Sequence, residues 1–218
     1  MRQTMEDVMK PGGGKGCQWT GDPFPATLTV ASGGVQNKGS FKLASKAFCT
    51  PPIFDASSNR GVICAKQTYE LEPWSKTVAL ADRALVVHGF EEQKDNLLME
   101  LAILSCADAL LDHVYRLIEF NKPETPIEIP QFRFVSAALA TEGLEVEEEK
   151  RQAYLLEEYI ETPFIKYINN GLAKPLSSGM DDEDLTRAHF LCFTQHVQYT
   201  VTGKRAFVSD YQGRISCS

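Results

Sequence analysis

Near the end of the chain, Ala206-Phe207-Val208-Ser209-Asp210-Tyr211-Gln212-Gly213 places a carboxylate and an amide two residues apart after an apolar run. In an extended strand, residues two apart share a face, so Asp210 and Gln212 can converge on a metal ion or on a group in transfer. Gly213 then permits a tight turn. The plainer alternative is a strand ending in an ordinary turn, where Asp and Gly are common. A second candidate is Lys66, set among Val62, Ile63, Cys64 and Ala65. Its stem is expected to be half-buried, and a buried ammonium requires an anionic partner; an edge-strand lysine reaching water is the alternative. Glu100 borders an apolar stripe of Leu97, Leu101, Leu104, Leu111, Tyr115 and Ile118, whose spacing predicts a helix from about Lys94 to Phe120. From there it could reach Lys66 across a sheet–helix interface, or simply face solvent.

Two further patterns have the right residue types for other chemistry. His189, Cys192 and His196 fall at i, i+3 and i+7 on a helix that the acidic run Asp181-Asp182-Glu183-Asp184 opens. All three are zinc-ligand types, but one stripe of a helix seldom closes a tetrahedron, so a core or interface role for at least two of them is expected. Pro11-Gly12-Gly13-Gly14-Lys15-Gly16 is not a phosphate loop, because Gly16 and Cys17 stand where a hydroxyl should follow the lysine. Residues 1 to 24 are expected to be a flexible leader.

Composition narrows the class. The chain has 218 residues, 43% hydrophobic and 23% charged, which suits one sizeable core or two small lobes. No apolar run approaches the roughly 20 residues of a membrane span. A net charge of -7 argues against nucleic acid as a partner. The six scattered cysteines form no CxxC pair, and Met1 to Lys10 has no apolar signal core, so a cytoplasmic protein is expected.

Short β-branched segments separated by Gly and Pro predict strands at 27–30, 41–44 and 61–69, with a glycine-rich turn from Gly33 to Lys42 able to lay N–H groups over phosphates. After the helix come an extended segment Phe132–Leu139, an acidic loop Glu142–Glu149 and an apolar strand Tyr154–Ile160 carrying Glu157 and Glu158. Phe164–Gly171 reads as one helical turn capped by Asn-Asn-Gly. The lobe boundary is expected around Tyr159 to Thr162, giving a 25–160 N-terminal lobe and a 161–218 C-terminal lobe. The oligomeric state is not legible.

Taken in order, Gly39-Ser40-Phe41-Lys42, Ala65-Lys66, the helix with Glu100, Leu155–Ile160, Phe164–Gly171, Phe193–Tyr199 and Ser209–Gly213 resemble the alpha-type atypical protein kinases over about residues 25 to 213. The resemblance implies an α+β, two-lobed kinase-like fold with the second lobe incomplete. It also implies transfer of the ATP γ-phosphoryl group to a Ser or Thr hydroxyl of a protein substrate. Lys66 would bind the α/β-phosphates and pair with Glu100; Gly39 and Lys42 belong to the nucleotide turn; Glu157 and nearby backbone would meet the adenine. Asp210 would contact the substrate hydroxyl or metal, and Gln212 would help hold Mg²⁺. His196 resembles the first ligand of the family's structural zinc, whose other ligands have no counterpart here. Ile168 replaces a common asparagine, and the family's Leu-Thr-Asp-Pro segment with a second aspartate does not follow Gly213. Those departures imply the alternative of a truncated pseudokinase that binds nucleotide or a protein without catalysis. An unrelated α+β interaction domain is the third reading.

Overall fold

The computed structural model describes residues 23–31, 37–54, 61–72, 84–121, 128–161, 164–176 and 178–213. The glycine run at 11–16, Gly33 and Gly34 lie outside them. The described residues belong to two units, drawn from Gly21–Leu101 with Val135–Tyr159 and from Ala102–Phe134 with Ile160–Ser218. Residues 102–134 thus group with the C-terminal stretch, where the sequence suggested one boundary near Tyr159 to Thr162.

The first unit is a seven-stranded sheet. It comprises β1 (Thr27–Val30), β2 (Asn37–Lys38), β3 (Lys42–Thr50), β4 (Val62–Leu71), β5 (Leu85–Val87), β6 (Ala137–Thr141) and β7 (Ala153–Glu158). The order is β1-β3-β4-β7-β6, with β2 on β3 and β5 on β4. Every pairing is antiparallel, so directly opposite residues share a face. Ala44 opposes Lys66, Lys66 opposes Leu155, and Cys64 opposes Glu157. One face therefore carries Lys42, Lys46, Cys64, Lys66, Leu155 and Glu157. The other carries Ala47, Cys49, Ile63, Ala65 and Leu156, which close an apolar core with Leu28 and Tyr154. The period of two places Glu157 and its neighbour Glu158 on opposite faces. Glu158 Oε2 accepts the Ser136 N–H at 3.1 Å.

A long helix, α1 (Phe90–Phe120), follows β5. Glu91 and Glu92 in its first turn suit the positive end of the helix dipole, and Asn121 Nδ2 caps the Leu117 carbonyl at 2.8 Å at the other end. Within the first unit Leu97 and Leu101 pack on Ala153 and Leu155, with Phe90, Ala137 and Leu139 around them. Gln93, fully buried, accepts the Ala153 N–H at 2.9 Å and pins the helix start to β7.

The second unit contains the remainder of α1, β8 (Ile165–Lys166), α2 (Asp182–Val201) and β9 (Gln212–Gly213). Its core joins Tyr167, Ile168, Ala188, Leu191 and Tyr211 with Phe132 and Phe134. The acidic run opens α2, as the sequence predicted, and Asp181 caps it by accepting the Asp184 N–H at 2.8 Å. No helix among the described residues is long and apolar enough to cross a membrane.

Some expectations are corrected. Phe164–Gly171 is not a helical turn: Ile165–Lys166 forms a strand, Ile168 bridges Pro175, and a turn follows in which Gly171 takes φ 77°. The run 206–213 is a strand only at Gln212–Gly213, because Asp210 sits at φ 60° and interrupts the alternation.

Candidate functional site

On the first unit's sheet, the β4–β7 register decides the electrostatics. Lys66 opposes Leu155, and Glu157 stands two residues along β7 on the same face, a diagonal that long side chains can span. Lys66 Nζ donates to Glu157 Oε2 at 2.5 Å, with side chains only 25% and 12% exposed. The anionic partner required of a half-buried Lys66 is therefore Glu157. Glu100 instead accepts from Lys42 Nζ at 2.7 Å; Lys42 is the first residue of β3, opposite Thr68 and two residues before Ala44, which opposes Lys66. The expected Lys66–Glu100 pair is thus corrected into two separate pairs, Lys66–Glu157 and Lys42–Glu100. Cys64 lies directly across from Glu157; burial pushes its thiol pKa up, with Glu157 adding and Lys66 opposing. Lys46, on the same face, places its ammonium 4.8 Å from the centre of the Tyr159 ring.

Gly39 closes the turn between β2 and β3. Its N–H donates to the Lys42 carbonyl at 2.9 Å, and its own carbonyl accepts the Tyr69 hydroxyl at 2.6 Å. A Cβ there would sit 3.3 Å from the Lys42 oxygen, so glycine fits this close approach. The Gly39 N–H is committed within the turn.

In the second unit, β8 and β9 bring the asparagine block against the Asp-x-Gln-Gly segment. Lys166 opposes Gln212, so the two side chains share a side. Lys166 Nζ lies 2.7 Å from Asp210 Oδ1. That is an ion-pair approach without hydrogen-bond alignment, and Oδ1 is buried with no hydrogen-bond donor. Tyr211 points the other way, into the core, while its carbonyl accepts the Tyr167 N–H at 2.9 Å. Ser209 and Asn170 meet at 3.1 Å. Asp210 and Gln212 do come to one side of the chain, at Lys166, through a left-handed turn and not through strand alternation. Their oxygens are donors of the hard kind that suits Mg²⁺.

Zinc does not fit. His196 and His189 are exposed on α2, Cys192 packs against the core, and no group of three or more His, Cys, Asp or Glu among the described residues is placed to hold a metal.

Sequence reasoning missed Lys166 and Asn170 as members of the site. The signal for Lys166 was there: it lies between Ile165 and Tyr167, as Lys66 lies among apolar neighbours. Nothing local marks the 44-residue separation that the β8–β9 pairing closes between Lys166 and Asp210.

Among curated proteins, none matches the sequence. Among solved structures, an alpha kinase from Entamoeba histolytica matches with a TM-score of 0.55 at 16% identity, over 87% of this chain and 60% of its own. The alpha-kinase domain of myosin heavy chain kinase A, in complex with AMP, matches with a TM-score of 0.44 at 13% identity, over 86% of this chain and 72% of its own. This chain therefore spans about three-fifths of the Entamoeba structure, and that likeness shows the alpha-kinase type of mixed helix and strand fold. The sequence pattern of the Alpha-kinase family covers residues 37–217, nearly the whole of what the sequence resemblance claimed, and the chain belongs to that family.

Proposed function

We propose that this chain is an ATP-dependent protein kinase that transfers the γ-phosphoryl group to a Ser or Thr hydroxyl of a protein. The observation that carries the reading is Asp210, held in a left-handed conformation with its carboxylate against Lys166 and beside Gln212. Backbone strain of this kind in a non-glycine residue clusters at functional sites. Phosphoryl transfer asks for positioning and charge neutralisation more than for covalent chemistry, and the residues here are of that kind.

Lys66 faces the α- and β-phosphates, its ammonium oriented by Glu157, and the β7 end at Glu157 meets the adenine. Lys42, oriented by Glu100, adds a second positive charge beside the Gly39 turn. Asp210 orients the acceptor hydroxyl and receives its proton, while Lys166 offsets negative charge arriving with the phosphoryl group. Asp210 and Gln212 would hold Mg²⁺, which when bound neutralises phosphate oxygens.

Transfer of label from γ-labelled Mg-ATP to a basic helical Ser/Thr peptide tests the proposal, with Asp210→Ala as the control. Label incorporation no higher than in that control sinks the catalytic reading. A rise in melting temperature with Mg-ATP but no transfer would leave a nucleotide-binding module. No shift and no transfer would leave an interaction domain.

A further inference from the structure

Helix α2 and its C-cap Thr202 bury an unusual polar stripe. Thr194, Gln195, Gln198 and Thr202, at 0 to 3% exposure, recur at helical spacing where a core helix would carry leucines. Each is committed to the irregular segment before β9. Gln198 Oε1 accepts the Val208 N–H at 2.8 Å, and Gln195 Nε2 donates to the Val208 carbonyl at 2.8 Å. Gln198 Nε2 also donates to the Tyr211 hydroxyl at 3.2 Å, which lies 3.3 Å from Thr194 Oγ1. Thr202 Oγ1 accepts the Ala206 N–H at 3.1 Å.

Both polar groups of Val208 are thus satisfied as a strand neighbour would satisfy them, but by side chains of a helix. Asp210 lies between the two clamped residues, Val208 and Tyr211. Asp visits φ 60° more readily than most non-glycine residues, but holding one conformation there still requires surroundings that fix it. The polar stripe supplies that constraint.

We propose that Gln195 and Gln198 are positioning residues for Asp210, fixing the left-handed turn that carries its carboxylate to Lys166. The kinetic consequence rests on the kinase reading above; the structural one does not.

The test uses the ¹⁵N-labelled full chain. Gln198→Met keeps the side-chain length and removes both contacts. Gln198→Glu, protonated when buried, keeps the amide's shape and its hydrogen bonds and serves as the rescue. Val114→Ala, a cavity in the core of the same unit, controls for lost stability. In Gln198→Met, amide exchange at Val208 and Asp210 should accelerate by about tenfold or more. Turnover should fall by about tenfold or more, with KM for ATP within about twofold. Val114→Ala should leave turnover per folded molecule unchanged, and Gln198→Glu should restore most of it. Gln195→Met, which removes only the Val208 carbonyl contact, supplies the same readouts if Gln198→Met does not fold. Unchanged exchange at Val208 and Asp210, or a loss of turnover matched by Val114→Ala, overturns the proposal. If the wild type transfers no phosphoryl group, the kinase reading falls and the exchange rates alone decide the clamp.

Discussion

The two units hold their charged residues by different means. On the sheet, Lys66–Glu157 is set by two regular strands, whose ladder fixes register and whose pleat fixes which face a side chain takes, and Lys42 on the same face meets Glu100 of helix α1. In the second unit, Lys166–Asp210 depends on a left-handed residue, a two-residue strand pair and glutamine side chains standing in for a missing strand. The sheet distributes its constraint over many backbone bonds. The turn concentrates it in a few side chains, so a single substitution can release it.

The contrast can be broken most directly at Asp210. Asp210→Ala and Asp210→Gly should both lower label transfer by about a thousandfold, the scale of losing one electrostatic contact made in the transition state. Chemical denaturation should nonetheless find Asp210→Gly more stable than Asp210→Ala by about 1 kcal/mol, because glycine takes φ 60° freely. Equal stabilities would show that the turn is not strained.

Next in size is Lys66→Met. The half-buried Glu157 would lose its partner, lowering stability by about 2 kcal/mol in urea unfolding and removing the Mg-ATP shift in melting temperature. A variant that kept the full ATP shift would separate Lys66 from the phosphates. Lys42→Met should do less, within about 1 kcal/mol, since Lys42 and Glu100 side chains are 28% and 38% exposed. That difference sharpens under salt. Raising ionic strength should erase the Lys42 effect before the Lys66 effect, as screening acts first on the wetter pair; equal salt sensitivity would mean equal burial in solution.

The smallest effect concerns Cys64. Burial raises its pKa above the ordinary thiol value of about 8.5, so the folded state keeps a proton that the unfolded chain loses. Its contribution is therefore full below the unfolded pKa and is lost as pH rises through the folded value. Cys64→Val should flatten the fall in stability above about pH 9, measured by unfolding at stepped pH. An unchanged slope would assign the fall to other groups.

Much of the sheet was legible because its signals are local and periodic. Thr27–Val30, the β4 run around Lys66 and the strand carrying Glu157 show the β-branched and alternating texture of strands. The long helix announced itself by its stripe, with only its start moved, to Phe90. What was misread shares one cause. Phe164–Gly171 and Ala206–Gly213 are short, apolar and flanked by turn residues, a texture that fits a helical turn or a strand equally well until a partner chooses.

By itself, the sequence determined the residue inventory: a lysine in an apolar strand, adjacent carboxylates Glu157 and Glu158 in another apolar strand, and an Asp-x-Gln-Gly ending an apolar run. It also determined the order in which they occur, which carried the family resemblance. Only the tertiary structure decided the partners. Lys66 met Glu157 because antiparallel register, a property of two strands together, sets which charges are neighbours, and Glu100, on helix α1, paired with Lys42. Asp210 met Lys166 because glutamines on a distant helix replaced a strand, and no periodicity within residues 206–213 encodes bonds supplied from outside.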